Sequence, residues 1–248
     1  MLMLKTMRKM AGIIFCFCFL YFGTGNCKAQ TAEAADKKVN ILFVLDCSSS
    51  MIHCWDDVKK NILSAMEERI GKPELSEFAF ILYKSGSKID GITHKEFMSF
   101  SDAKKLLNTL SPKGGTEAKE PVYQALWAAF YEITWKTKED GCRWIILIGN
   151  GEDNGRGTAN IDSAPQNLTM ELIIKESDQN RILIFCYDCA EEKLTTFNDL
   201  SLAIVGKKPY ILAKTGMTGK GPQNIGDLFS PSNDIWEKFY LKIETRKK

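Results

Sequence analysis

Histidine is nearly absent, with two in 248 residues, and proline is sparse at seven. With only His53 and His94 available, zinc sites and Ser–His catalysis have little material to work with. An excess of one charge is also lacking. The 33 Lys and Arg face 31 Asp and Glu, a net of +2, which leaves no basic footprint for nucleic acid. No G-x-S-x-G nucleophile elbow occurs. Residues 216–221 are not a phosphate loop, because Gly221 follows Lys220 where a Ser or Thr is needed. Internal repeats and low-complexity tracts are missing. What remains, 44% hydrophobic and 26% charged residues, is the composition of a globular chain of one domain, or at most two small ones.

The first 29 residues differ from the rest. They hold Lys5, Arg8, Lys9 and Lys28 and no acid, so the remainder of the chain carries a net of −2. Residues 11–22 form a 12-residue apolar run that as a helix rises about 18 Å, against a bilayer core of roughly 30 Å. Basic start, short apolar run and small residues at Cys27 and Ala29 make residues 1–29 a secretory signal cleaved near Ala29. An uncleaved membrane anchor and a lipoprotein acylated on Cys27 are the alternatives. Residues 30–38 form a polar linker, and residues 39–248 one domain in an extracytoplasmic setting, periplasmic or secreted. Cys47, Cys54, Cys142, Cys186 and Cys189 stay with it. That odd count allows two bridges and one free thiol, with the pairing open.

Strands and helices then alternate. Apolar runs at 39–45, 78–83, 144–148 and 182–185 predict strands, with a last short one at 210–212. Ser85, Gly86 and Ser87 predict a turn into a short hairpin partner ending near Ile92. Helical spacing of Trp55, Val58, Ile62, Met66 and Ile70 predicts a helix stopped by Gly71 and Pro73. Further helices are expected from a Ser101 cap to Leu110, from Pro121 to Ile133, and over 168–176, 194–205 and 235–243. Unbroken apolar strands separated by helices imply an α/β fold. Its sheet is doubly wound and mostly parallel, with one short antiparallel edge strand and helices on both faces.

Three segments leaving strand ends carry small oxygen donors: residues 46–51 (DCSSSM), 113–117 (KGGTE) and 149–153 (GNGED). Asp46, Ser48 and Ser50 alternate, so an extended chain puts them on one side. With Thr116 and the third segment they make an all-oxygen shell suited to a hard divalent cation. D-x-S-x-S-M, a GGT loop before a helix, and a G-E pair after an apolar strand resemble the von Willebrand factor type A domain, bacterial exported type, over about residues 39–244.

The resemblance implies a metal-ion-dependent adhesion site in which Ser48, Ser50 and Thr116 ligate Mg²⁺, with Mn²⁺ or Ca²⁺ as alternatives. Asp46 would stand close, through water. Asn150 falls where the family commonly has a second Asp. An amide oxygen accepts a hydrogen bond but brings no charge, so a bound divalent ion keeps one uncompensated positive charge. Affinity should fall and attraction for an incoming carboxylate should rise, unless Glu152 or Asp153 folds back to compensate. The resemblance thus implies a non-enzymatic module binding the Glu or Asp of a partner protein. The competing readings are a metal-free structural or assembly protein, in which Ser48, Ser50 and Thr116 only cap helices, and a thiol oxidoreductase using Cys186 and Cys189.

Overall fold

A computed structural model describes residues 39–67, 76–86, 91–115, 117–136, 142–155, 165, 167–190, 194–197, 199–200 and 211–213. The signal segment, the linker, the Gly71–Pro73 stop, Thr116 and the expected helix at 235–243 lie outside the described residues.

The strand at Val39–Asp46 (β1) is buried at every position, as a strand covered on both faces must be. It pairs in parallel with Ser76–Lys84 (β2) on one side and Cys142–Gly149 (β5) on the other. Gly91–Met98 (β3) closes one edge antiparallel to β2. Ile182–Asp188 (β7) and Ile211–Ala213 (β8) extend the other edge in parallel. The six-stranded order is β3-β2-β1-β5-β7-β8. Lys119–Glu120 (β4) and Glu152–Asp153 (β6) form a separate two-stranded parallel pair.

Alternation along the strands divides the core. Leu42, Val44, Ala79, Ile81, Ile145, Leu147, Ile182 and Ile184 share one cluster with residues of the helices Val122–Tyr131 (α3) and Met170–Gln179 (α4). The intervening residues face the other way. Phe43 stacks on Phe80 at 5.5 Å, and Phe78 meets Phe100 edge-on at 6.4 Å. Phe100 opens the helix Phe100–Thr109 (α2). Asn61, in the helix Trp55–Glu67 (α1), donates to the Tyr187 hydroxyl at 3.3 Å. Helices therefore cover both faces, and the doubly wound expectation holds. Among the described residues no helix is long and apolar enough to cross a membrane.

Three local expectations need correction. The antiparallel partner of β2 does not end near Ile92; it runs from Gly91 to Met98. Its middle residues Thr93, His94, Lys95 and Glu96 are exposed, and such a polar edge strand blocks further pairing while hiding the apolar alternation that marks a strand. Ser101 lies inside α2; the cap is Ser99, extended at φ −66° and ψ 159°, whose side chain accepts from the Asp102 N–H. Thr169 does the same for the Leu172 N–H at 3.3 Å, so α4 starts at Met170 and runs on to Gln179. Trp127 is buried in the core, while Tyr131 stacks against it at 4.7 Å and stays half exposed.

Candidate metal site at the carboxyl ends of β1 and β5

The chain leaves β1 toward β2 and β3, then crosses to the other side of β1 for β5, β7 and β8. The two halves part at the carboxyl ends of β1 and β5, the place where sheets of this kind bind ligands. Asp46 ends β1 and Gly149 ends β5. A Cβ on Gly149 would stand 3.2 Å from the Asp46 Cβ and 2.4 Å from the Tyr83 hydroxyl, so only glycine lets the strands close up there.

Backbone bonds hold the loop after β1. The Cys47 N–H donates to Tyr83 O at 2.8 Å, Lys113 N–H to Cys47 O at 2.9 Å, and Ser49 N–H to Gly114 O at 2.6 Å. Gly114 and Gly115 have φ of +72° and +73°, the left-handed region that glycine enters without penalty. The loop after β1 and the glycine loop are thereby stitched together. Ser49–His53 then makes a 3-10 turn that leads into α1.

Four of the five residues expected from the sequence meet here. The Ser48 N–H donates to Asp46 Oδ1 at 2.8 Å, the Ser48 and Ser50 hydroxyls lie 2.8 Å apart, and Ser50 donates to Asn150 Oδ1 at 2.9 Å. The fifth, Thr116, lies outside the described residues; its neighbour Gly115 abuts Ser48. Asp46 is fully buried, and its Oδ2 has no hydrogen-bond partner among the described residues. Burial pushes its carboxyl up from the ordinary value, against the pull of the Ser48 hydroxyl and N–H and the Asn150 backbone N–H.

Glu152 and Asp153, the residues that would compensate if the loop folded back, are bound elsewhere. Glu152 accepts from the Thr195 and Thr196 N–H groups and the Thr196 hydroxyl. Asp153 accepts from the Tyr123 N–H at 2.9 Å, capping α3, and from the Gly155 N–H at 2.8 Å. The carboxylate that does reach the cluster is Glu120, which sequence reasoning missed. It is 2% exposed, accepts from the Ser85 N–H and, at 3.4 Å, the Ser85 hydroxyl. A Cβ at Gly151 would come within 2.6 Å of its Cγ. Burial and the neighbouring Asp46 charge push its carboxyl up to about 7, with Ser85 and the Ser48 hydroxyl pulling the other way.

The residues fit a hard divalent cation. Carboxylate, hydroxyl and amide oxygens converge, and the Ser48 hydroxyl has Ser50, Asp46 and Glu120 around it. One proton serves one acceptor at a time, so the carboxylates are left short of positive charge. The donor set is oxygen only. Among the described residues no group of three or more His, Cys, Asp or Glu side chains is placed to hold a metal ion.

Without a cation this arrangement carries a pH signature. Glu120, with an ordinary value of 4.5 and a folded value of about 7, keeps a proton between those limits that the unfolded chain has lost. Folding is favoured at the acidic end, and stability falls as pH rises through that window. The gap corresponds to on the order of 3 kcal/mol, with Asp46 adding in the same direction. In chelator, urea midpoints should therefore drop from pH 5 to pH 8; a flat profile would contradict the buried pair.

The thiols show a different chemistry. Among the described residues Cys47 and Cys189 are free thiols. Cys186 is packed in the core, and a hydrogen bond with Cys54 together with burial pushes the Cys189 thiol well up. A thiol nucleophile needs the opposite shift.

Comparison with known proteins bears on the family and the fold. The sequence profile of the von Willebrand factor type A domain matches residues 40–204. No curated protein matches the chain in sequence. Among solved structures, proximal thread matrix protein 1 from the mussel byssus aligns at TM-score 0.58 and 16% identity, over 79% of this chain and 46% of its own. A second crystal form of that protein gives TM-score 0.50 at 16% identity, over 68% and 39%. This chain thus spans less than half the length of that protein, and at such identity the likeness is one of fold. With its profile matched over residues 40–204 and the doubly wound sheet in place, this chain belongs to the von Willebrand factor type A domain family.

Proposed function

We propose that this protein is an exported, non-enzymatic interaction module that binds a partner protein through a divalent cation at the carboxyl ends of β1 and β5. Domains of this family are commonly protein-interaction modules, and the finer reading rests on one observation. The Asp46 carboxylate is fully buried, its Oδ2 without a hydrogen-bond partner among the described residues, beside the Ser48 and Ser50 hydroxyls. An ionised oxygen so placed is costly unless a cation meets it. Ser48 and Ser50, with Thr116 by family resemblance, would hold Mg²⁺ or Mn²⁺, and Asp46 and Asn150 would orient its waters. When bound, the cation offers a vacant position to a Glu or Asp of the partner. Ile52, 63% exposed in the same loop, adds an apolar contact at the rim.

A second reading has its own observation. Ser50 already donates to Asn150 Oδ1, so part of the oxygen cluster satisfies itself, as a metal-free assembly module would require. Calorimetric titration with Mn²⁺ separates the two. Asn150→Asp should tighten binding on the order of tenfold, ~1.4 kcal/mol, and Asp46→Ala should remove the heat. A titration that neither substitution changes would leave only the metal-free module, whose partner would then be captured equally with and without chelator.

A further inference from the structure

We infer that Glu120 is the second carboxylate of the cation site, supplying from the strand β4 the charge that Asn150 does not. The inference rests on the cation-binding reading above and names a residue outside the D-x-S-x-S and GGT motifs.

Its position carries it. β4 lies between the glycine loop and α3, and it pairs with β6, the segment that directly follows Asn150 and Gly151. The pairing brings residues 119–120 and 152–153 side by side, and the absence of a side chain at Gly151 leaves the room that Glu120 fills. Each oxygen of the Glu120 carboxylate takes one donor from Ser85, just past β2: Oε2 from the N–H and Oε1, at 3.4 Å, from the hydroxyl. Gly115 ties this place to the cluster, since a Cβ there would stand 2.7 Å from the Ser48 Cβ and 3.6 Å from the Ser85 hydroxyl that Glu120 holds. Ser85 itself is buried, and its hydroxyl also takes the Glu117 N–H at 3.4 Å.

Two buried carboxylates therefore stand near one hydroxyl, and among the described residues no buried Lys or Arg stands with them. Lys84, the nearest base on β2, spends its ammonium on Lys113 O at 3.2 Å, at the exposed edge. Asp46 Oδ2, without a partner among the described residues, is an observation independent of Glu120 and points to the same cation. A divalent ion facing both carboxylates is neutralised, whereas with Asp46 alone it would keep one positive charge. Asn150 is then no defect, since its lost charge returns from another strand.

Mn²⁺ titration calorimetry on the purified protein and two variants tests this. Glu120→Gln keeps an oxygen for the Ser85 N–H and should weaken Mn²⁺ binding ten- to a hundredfold, the range typical of lost supporting partners at metal sites. Adding Asn150→Asp to it should restore affinity to within a few-fold of the native protein, because the charge re-enters at the family position. Native-like binding by Glu120→Gln overturns the inference and leaves the cation site standing. A double variant no better than the single also overturns it. So does failure of Glu120→Gln to fold in chelator, since the carboxylate would then be a structural partner of Ser85. If the native protein and Asp46→Ala both give no heat, the site reading fails and this inference falls with it.

Discussion

Gly115→Ala should destabilise the protein by about 3 kcal/mol and remove cation binding in the same step. Two costs combine. At φ +73° a Cβ carries roughly 1–2 kcal/mol of left-handed strain. That Cβ would also lie 2.7 Å from the Ser48 Cβ and 3.2 Å from its Cα, and relieving such overpacking costs about 1–3 kcal/mol. The clash is with backbone-anchored atoms of the D-x-S-x-S loop, so relief must displace Ser48. Gly155→Ala is the natural control. Its φ is +63°, yet nothing stands within 4 Å of the new Cβ, so strain alone should cost about 1 kcal/mol and leave binding intact. Urea denaturation in chelator and Mn²⁺ calorimetry read both effects. Equal losses from the two substitutions would mean that the glycine loop does not shape the site.

Asp46→Asn should move stability and binding in opposite directions. The amide keeps an oxygen for the Ser48 N–H and removes a charge that burial holds in an unfavourable state. Metal-free protein at pH 8 should gain on the order of 1 kcal/mol, since a buried unpaired charge costs more than a buried neutral group. Binding of Mn²⁺ should fall by at least ~100-fold, beyond the loss seen when only a supporting partner is removed. The pairing of the two effects is diagnostic, because sites kept for a ligand carry stability costs that inert cores do not. A variant less stable in chelator and unchanged in binding would mark Asp46 as an ordinary loop stitch, accepting backbone donors and nothing more.

Much of the framework was legible because its signals are local. The apolar run of β1, the helical stripe of α1 and the small oxygen donors after β1 and β5 all sit within a few residues of one another. The misses have a common cause in contacts distant along the chain. Glu120 reads as an unremarkable acid before Pro121; its burial depends on Ser85, 35 residues earlier, and on Gly151, 31 residues later. Glu152 and Asp153 looked available because nothing in their own segment shows Thr195, Thr196 and the start of α3 claiming them. The strand β3 was shortened for the opposite reason, its residues being chosen for solvent at the sheet edge rather than for a buried partner.

A crystal of the protein soaked in Mn²⁺, with anomalous data collected, tests the central claim most directly. The account expects one strong anomalous peak at the carboxyl ends of β1 and β5, within coordination distance of the Ser48 and Ser50 hydroxyls and bordered by Asp46. No peak at that place under saturating Mn²⁺, with the Ser50–Asn150 hydrogen bond intact, would contradict it.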